Sequence, residues 1–563
     1  MRGGELAAAH PGKAASGQLA DVHQPPGTPA RAWARRVAAS QVLSSGPAGA
    51  GATAISVVLT IAVAALGPSV MEPPLPGRPG QPPWAFAAHP SPYLVLALTG
   101  LAIIAGTFGL VVTMRAVRCG WQAAPRLFLA AGLLAAVLLA LLCPFGSSDH
   151  LSYAAYGRML ASGHNPYLSG PNVLARLGDP IARAVEAPWQ SSPSVYGVLA
   201  TGGQALASLL GGTSVRLTVF LLSLLNLAGF AGTGLLLHRL AAGDRGRQLR
   251  AALLWTCNPL LLQVLVAGEH VDSQAIVFGV AAVAVFALAL RRAAAGDGAR
   301  RCVPLALAAG ALAGLGFAVK LSMILVAAGL LVTCLLTGPV RAAGRWSVAW
   351  PRGPVAWVAS GLVAGFAAVT AAAVAIGGAA SVRAAFSAGS YVSIGTPWRW
   401  LRSAIRVATG ESAADSIVKI LAVLAVLGLA WLLLRRLPGP SRLLPAAGTD
   451  GGPAAVGMAA RAALAFSLAW LTAGPYLLPW YDGLAWALLP LLPWSSIDWF
   501  VTAQTGALAI GYLPARVVAM PAGTGWLETV VRTAITPALL LITAVALVIT
   551  LQSGQTSNRT VPV

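Results

Sequence analysis

Phe145-Gly-Ser-Ser-Asp149-His150-Leu-Ser-Tyr153-Ala-Ala-Tyr156-Gly-Arg158 opens a polar stretch, 146–193, in a chain otherwise built of apolar runs. A carboxylate immediately after an apolar run sits where lipid meets water. There it can reach a lipid-borne substrate and a soluble one together. Asp149 is therefore the candidate catalytic group, and the plain alternative is a helix cap. Ser147 and Ser148 are good caps, and an acidic residue in a first turn suits the helix dipole. Tyr153, Tyr156 and Leu160 recur at helical spacing and define one apolar-aromatic face. Gly163 stops this helix, and His164-Asn-Pro-Tyr167 makes a turn. The pattern predicts an amphipathic helix lying on the membrane surface with Asp149 at its start.

The rest of the chain explains that setting. Of its 563 residues, 57% are hydrophobic and 9% charged. A soluble domain carries about 25% charge, so an all-α polytopic integral membrane protein is expected. The net charge of +21 does not point to nucleic acid. Its arginines cluster in short loops between apolar runs, as cytoplasmic loops facing anionic lipid require. Five scattered cysteines show no metal-ligand spacing and no disulfide framework.

Apolar runs long enough to cross a bilayer lie near 53–71, 93–114, 127–145, 215–237, 251–268, 271–290, 303–319, 321–337, 354–377, 415–434, 461–478, 480–494, 497–513 and 530–551. Residues 1–50 read as a disordered cytoplasmic tail, 51–551 as the membrane domain and 552–563 as a short cytoplasmic tail. The first apolar run begins too far in for a cleavable leader, so it is expected to act as an uncleaved anchor. The basic connections are Arg115/Arg118/Arg126, Arg239/Arg245/Arg247/Arg250, Arg291/Arg292/Arg300/Arg301, Arg341/Arg345/Arg352 and Arg435/Arg436/Arg442. All fall inside only if the apolar segment 194–211 does not cross. That segment is therefore expected to be a helix on the outer face, with residue 245 inside and residue 270 outside. Roughly 13–15 spanning helices result.

The outer side then collects the remaining polar chemistry. Glu269-His270-Val-Asp272 places three titratable groups between two apolar runs. Charges at such depth are costly and tend to be functional. A divalent metal is conceivable there, and a tight solvated turn is the plain alternative. Lys320 stands alone between two apolar runs, able to bind phosphate or to snorkel to headgroups. Arg399, Arg402 and Arg406 share one helix face beside Trp398 and Trp400. An outward basic stripe calls for a bound anion, or else for lipid contacts. Pro475-Tyr476-Leu-Leu-Pro479-Trp480-Tyr481-Asp482 offers aromatic faces to a sugar, or an ordinary interfacial belt.

Ser-Ser-Asp149-His-Leu-Ser-Tyr153 followed by Gly163-His-Asn-Pro166-Tyr167 resembles the first outer loop of the C-type (GT-C) glycosyltransferases. It is most similar to the actinobacterial polyprenyl-phosphomannose-dependent α-1,6-mannosyltransferases. Pro193-Ser-Val-Tyr196-Gly197, Asn258-Pro259 with Gly268-Glu-His270-Val-Asp272, the Lys320 segment and Pro475–Tyr481 resemble further landmarks in order, over roughly residues 93–500. Glu269 and Val271 stand where Ala and Asn are usual. The resemblance implies a GT-C-like bundle that moves mannose from polyprenyl-phosphate mannose to a glycan or glycolipid on the outer face. The expected product is an α-1,6 linkage formed with inversion. It implies Asp149 as catalytic base, with His150, Tyr153, Glu269, His270, Asp272, Lys320, Arg399, Arg402, Trp480 and Tyr481 binding substrate. It implies no cofactor and no resident metal, and as partners the lipid donor, the acceptor and membrane lipids. A secondary transporter, or a lipid-linked glycan ligase or polymerase, is the competing reading. A transporter should show internal repeats and midplane sites, whereas here the polar groups gather at one face.

Overall fold

In hydrocarbon every backbone N–H and C=O must be paired within its own segment, so apolar runs become helices. The computed structural model describes residues 45–336, 351–387, 391–438, 452–516, 518 and 520–553. Among them, ten helices are long and apolar enough to cross a membrane: Gly46–Leu66, Pro92–Arg118, Val215–Leu240, Arg245–Ala267, Asp272–Ala294, Ala299–Val319, Pro354–Ser387, Glu411–Arg436, Ala454–Ala473 and Ala522–Gln552. The chain is an all-α, multi-pass membrane protein. No strand is found among the described residues, only an isolated bridge between Trp84 and Leu142.

Ten of the expected runs thus form long helices. Pro125–Leu141 and Leu321–Leu336 form shorter apolar ones, and Ile497–Gly511 has 15 residues. The run 480–494 is no single helix. It breaks into the short pieces Pro479–Asp482, Gly483–Leu488 and Leu489–Leu491, buried inside the protein. Pro479, Pro490 and Pro493 interrupt it, and broken backbone at membrane depth is tolerated where protein surrounds it. The first helix starts at Gly46, inside the expected tail, because Ser45 caps it by accepting from Ala48 N and Pro47 suits its first turn. The tail segments 1–44 and 554–563 and the arginines Arg341, Arg345 and Arg442 lie outside the described residues.

Val198–Gly211 has 14 residues, roughly 21 Å of helix against about 30 Å of hydrocarbon. At that length it falls short of the hydrocarbon thickness. Arg245–Ala267 is buried throughout its apolar length. Pro259 interrupts its ladder, and Asn258 recaps the chain by accepting from Leu260 N and Leu261 N. This helix separates two polar regions. At its start, Arg250 pairs with Asp498 at 2.7 Å, and Gln248 meets His238. Past its end lie Glu269, His270 and Asp272. Residues 245 and 270 therefore occupy opposite ends of the bundle.

Small residues let the helix axes approach, as is usual between membrane helices. A Cβ on Gly310 would lie 2.1 Å from the Leu362 carbonyl, and one on Gly365 2.1 Å from the Leu307 carbonyl. The same device seats the Asp149 helix: a Cβ on Gly157 would lie 2.1 Å from the carbonyl of Gln204 in Val198–Gly211.

Candidate active site

Asp149 begins the helix Asp149–Ala161, with its backbone N donating to Ser147 Oγ at 3.0 Å. The segment before it is tied down: Phe145 N donates to the Ala267 carbonyl and Gly146 N to the Met71 carbonyl. The helix does not lie on the surface as its pattern predicts. His150 through Gly157 are all buried, and Leu160 is the exposed member of the expected face. The reason is a cover made by the following loop. Tyr156 Oη donates to the Ser192 carbonyl at 3.0 Å, and Arg158 pairs with Asp179 at 2.6 Å. Val198–Gly211 closes the other side.

The Asp149 side chain keeps 21% of its surface open. Tyr153 Oη donates to its Oδ2 at 3.4 Å and receives Tyr196 Oη at 3.3 Å. His270 Nε2 stands 3.7 Å from the same Oδ2. His270 Nδ1 lies 2.6 Å from the Val264 carbonyl. A carbonyl can only accept, so Nδ1 carries the ring proton and Nε2 presents a lone pair to the carboxylate. The ring is clamped face to face on Trp480, with centroids 3.6 Å apart. Burial pushes the Asp149 carboxyl up to about 6, against the opposing pull of the Lys320 ammonium and the Ser147 and Tyr153 hydrogen bonds. Burial likewise holds His270 well below its usual range.

Lys320 is engaged. Its Nζ reaches both Asp272 oxygens at 2.7 Å and lies 3.9 Å above the Tyr481 ring. Gly197 N donates to the Val319 carbonyl, fixing this turn against the loop that carries Tyr196. The expected free phosphate ligand is instead half of a buried ion pair. Glu269 accepts from Ser223 Oγ at 2.6 Å, and burial holds its carboxyl well above the carboxylate range. Among the described residues no three His, Cys, Asp or Glu side chains converge as metal ligands. His150 is fully buried, with no partner at either ring nitrogen, and burial lowers it to about 3.

Two adjoining cavities, of ≈ 290 and ≈ 120 Å³, share Asp149, Trp189, Tyr391, Tyr476, Leu478 and Tyr512 in their walls. Tyr153, Tyr196, Trp480 and Tyr481 line the smaller. Arg399 and Arg402 line neither. Arg399 is exposed, and Arg402 pairs with Asp415 at 2.5 Å on the neighbouring helix. Two of the stripe's three arginines are thus met by neighbouring carboxylates, with Glu411 3.5 Å from Arg406. The cations that do line the larger cavity are Arg516 and Arg532, neither of which stands in a motif of the sequence. Arg516 is clasped by Glu186 and by the Ser69 and Glu72 carbonyls. Arg532 is held by the carbonyls of Gly511, Tyr512 and Pro514. A signal existed: on the topology expected from the loop charges, both arginines fall at or beside the outer turn 514–529, where positive charge is disfavoured, as with Arg399.

Residues 49–337 match the family described as "Alpha-(1->6)-mannopyranosyltransferase, N-terminal domain". This segment contains Asp149, His270, Asp272 and Lys320. The chain is 32% identical over 133 residues to "Alpha-(1->6)-mannopyranosyltransferase B" of Corynebacterium glutamicum, covering 24% of this chain and 22% of that protein. It is 28% identical over 130 residues to "Alpha-(1->6)-mannopyranosyltransferase A" of the same organism, covering 23% of this chain and 26% of that protein. Each alignment therefore spans about a quarter of the relative. No solved structure matches the chain. Because the family match runs over just over half of its length, the chain belongs to the alpha-(1->6)-mannopyranosyltransferase family.

Proposed function

We propose that this membrane mannosyltransferase moves one mannosyl residue from polyprenyl-phosphate mannose to a glycan or glycolipid acceptor on the outer membrane face. The product is an α-1,6 linkage formed with inversion. The observation that carries the reading is the partly open Asp149 carboxylate, which shares a cavity with Arg532 at one end of a membrane bundle. An inverting transfer is a single displacement. The acceptor hydroxyl attacks the anomeric carbon, Asp149 accepts its proton, and the sugar–phosphate C–O bond breaks with its electron pair passing to the phosphate. A carboxylate raised to about 6 is deprotonated at neutral pH, yet basic enough to take a proton in the transition state.

Arg532 has its guanidinium fixed by backbone carbonyls, and no carboxylate lies within ion-pair distance among the described residues. Its charge is available to the departing phosphate. Tyr476, Tyr391 and Trp480 supply aromatic walls for the sugar faces. The lipid phosphate is already a moderate leaving group, so the reading needs no cofactor.

The test is incubation of membranes holding the protein with radiolabelled polyprenyl-phosphate mannose and a short α-mannoside. Label should pass to the acceptor with the native chain and fail to pass with Asp149→Asn. Equal transfer by both proteins would remove the proposed base.

A further inference from the structure

A separate cavity, of ≈ 500 Å³, opens at the other end of the bundle. It lies where Arg245–Ala251 meets the start of Gly452–Ala473 and the turn Leu491–Trp494. The 23-residue helix Arg245–Ala267, about 35 Å long, separates it from His270. It shares no residue with the Asp149 cavities.

Its charged wall is built from Arg247, Arg250 and Asp244, two cations to one carboxylate. Arg250 is 2% exposed. Its Nη2 is satisfied by Asp498 Oδ1 at 2.7 Å and the Leu489 carbonyl at 3.0 Å. Trp494 stacks on the guanidinium at 3.8 Å and holds it flat. Nε and Nη1 of Arg250, by contrast, have no hydrogen-bond partner. Buried donors on a charged group are seldom left unfilled, because stripping them of water is costly. Arg247, half-buried on the next turn, makes no ion pair among the described residues. The nearby Asp244 carboxylate spends Oδ1 on capping Arg247 N. The cavity therefore presents two unfilled Arg250 donors and the Arg247 charge, with the single Asp244 carboxylate at its edge, against apolar walls from Ala454, Leu491 and Leu492.

We infer that this cavity is a binding site for an anionic phosphate group at the membrane face opposite Asp149. A phosphate has oxygens enough to meet the Arg250 edge and Arg247 together, and the planar guanidinium matches its geometry. The group can come from the headgroup of an anionic lipid, whose chains would follow the apolar wall, or from a free phosphorylated solute. The site takes no part in the proposed transfer reaction.

The purified full-length chain in detergent is titrated in two arms, with thermal unfolding as the readout. One arm uses phosphatidylglycerol, with phosphatidylcholine of the same chains as reference; the other uses inorganic phosphate. A saturable rise in Tm is expected in one arm. Response to phosphatidylglycerol alone identifies a lipid headgroup, and response to inorganic phosphate a free anion. Arg247→Gln removes a half-exposed charge, and Ala454→Trp fills the cavity; each should weaken half-saturation at least tenfold. Arg250 is left intact, since its loss would strand Asp498. No response in either arm, or native half-saturation in Arg247→Gln, overturns the site. If Ala454→Trp fails to fold, Arg247→Gln alone decides.

Discussion

His270 Nε2 faces Asp149 Oδ2 at 3.7 Å while its Nδ1 is committed to the Val264 carbonyl at 2.6 Å. Two acceptors therefore look at each other across a partly buried gap. A proton between them relieves that opposition, which suits a group whose task is to take one. The two residues lie far apart in sequence, and the Trp480 stack holds the imidazole in place.

Asp149→Asn should lower transfer on the order of 10²–10⁴-fold, the usual contribution of a positioned base. The side chain is one-fifth open, and Asn can still accept from Tyr153, so Tm should change little. Turnover assays on purified protein, paired with thermal unfolding, check this. A variant with near-native turnover would reduce Asp149 to a helix cap.

The pH–rate profile should carry an acidic limb near pH 6. Burial raises the Asp149 carboxyl to about 6, and the base works only when deprotonated. Activity should therefore be full above that value and fall about tenfold per pH unit below it. His270→Gln should move the limb, because Nε2 is the nearest group that disfavours the bare carboxylate. A limb near pH 4 in the native enzyme would contradict the burial argument.

Lys320 and Asp272 should behave as a structural pair. Their side chains are 13% and 7% exposed, so removing one partner strands a buried charge, at a cost of about 3–5 kcal/mol. Lys320→Met and Asp272→Asn should each unfold at lower temperature, and the double variant should recover much of the loss. Additive losses in the double-mutant cycle would show that the two do not depend on each other.

Arginine variants should divide by location. Arg532→Ala should raise the apparent KM for the lipid donor, or lower kcat if charge develops mainly in the transition state. Acceptor KM should stay near native. Arg402→Ala, whose partner is Asp415 on the neighbouring helix, should keep native donor kinetics. Donor titrations at saturating acceptor decide between them, and the reverse pattern would restore the Arg399–Arg402 stripe as the phosphate site.

Much of this protein is settled by its sequence. Apolar runs of bilayer length must become helices, because lipid offers their backbones no other partner. The separation of Arg245 from His270 follows from the charge of the short loops, and the Asp149 helix start follows from Ser147 and Ser148. Motif order also identified the family. What the chain alone did not settle is which polar groups meet. Lys320 read as standing alone and Asp272 as part of the Glu269–His270 cluster, yet the fold brings the two, 48 positions apart, together as one ion pair. Arg402 looked like a phosphate ligand because local spacing cannot reveal Asp415 waiting on the next helix. Arg516 and Arg532 reach the Asp149 cavity from the far end of the chain. Helix formation is local and readable from composition and period. Site assembly depends on side chains that converge only when the helices pack, and no one-dimensional pattern records that convergence.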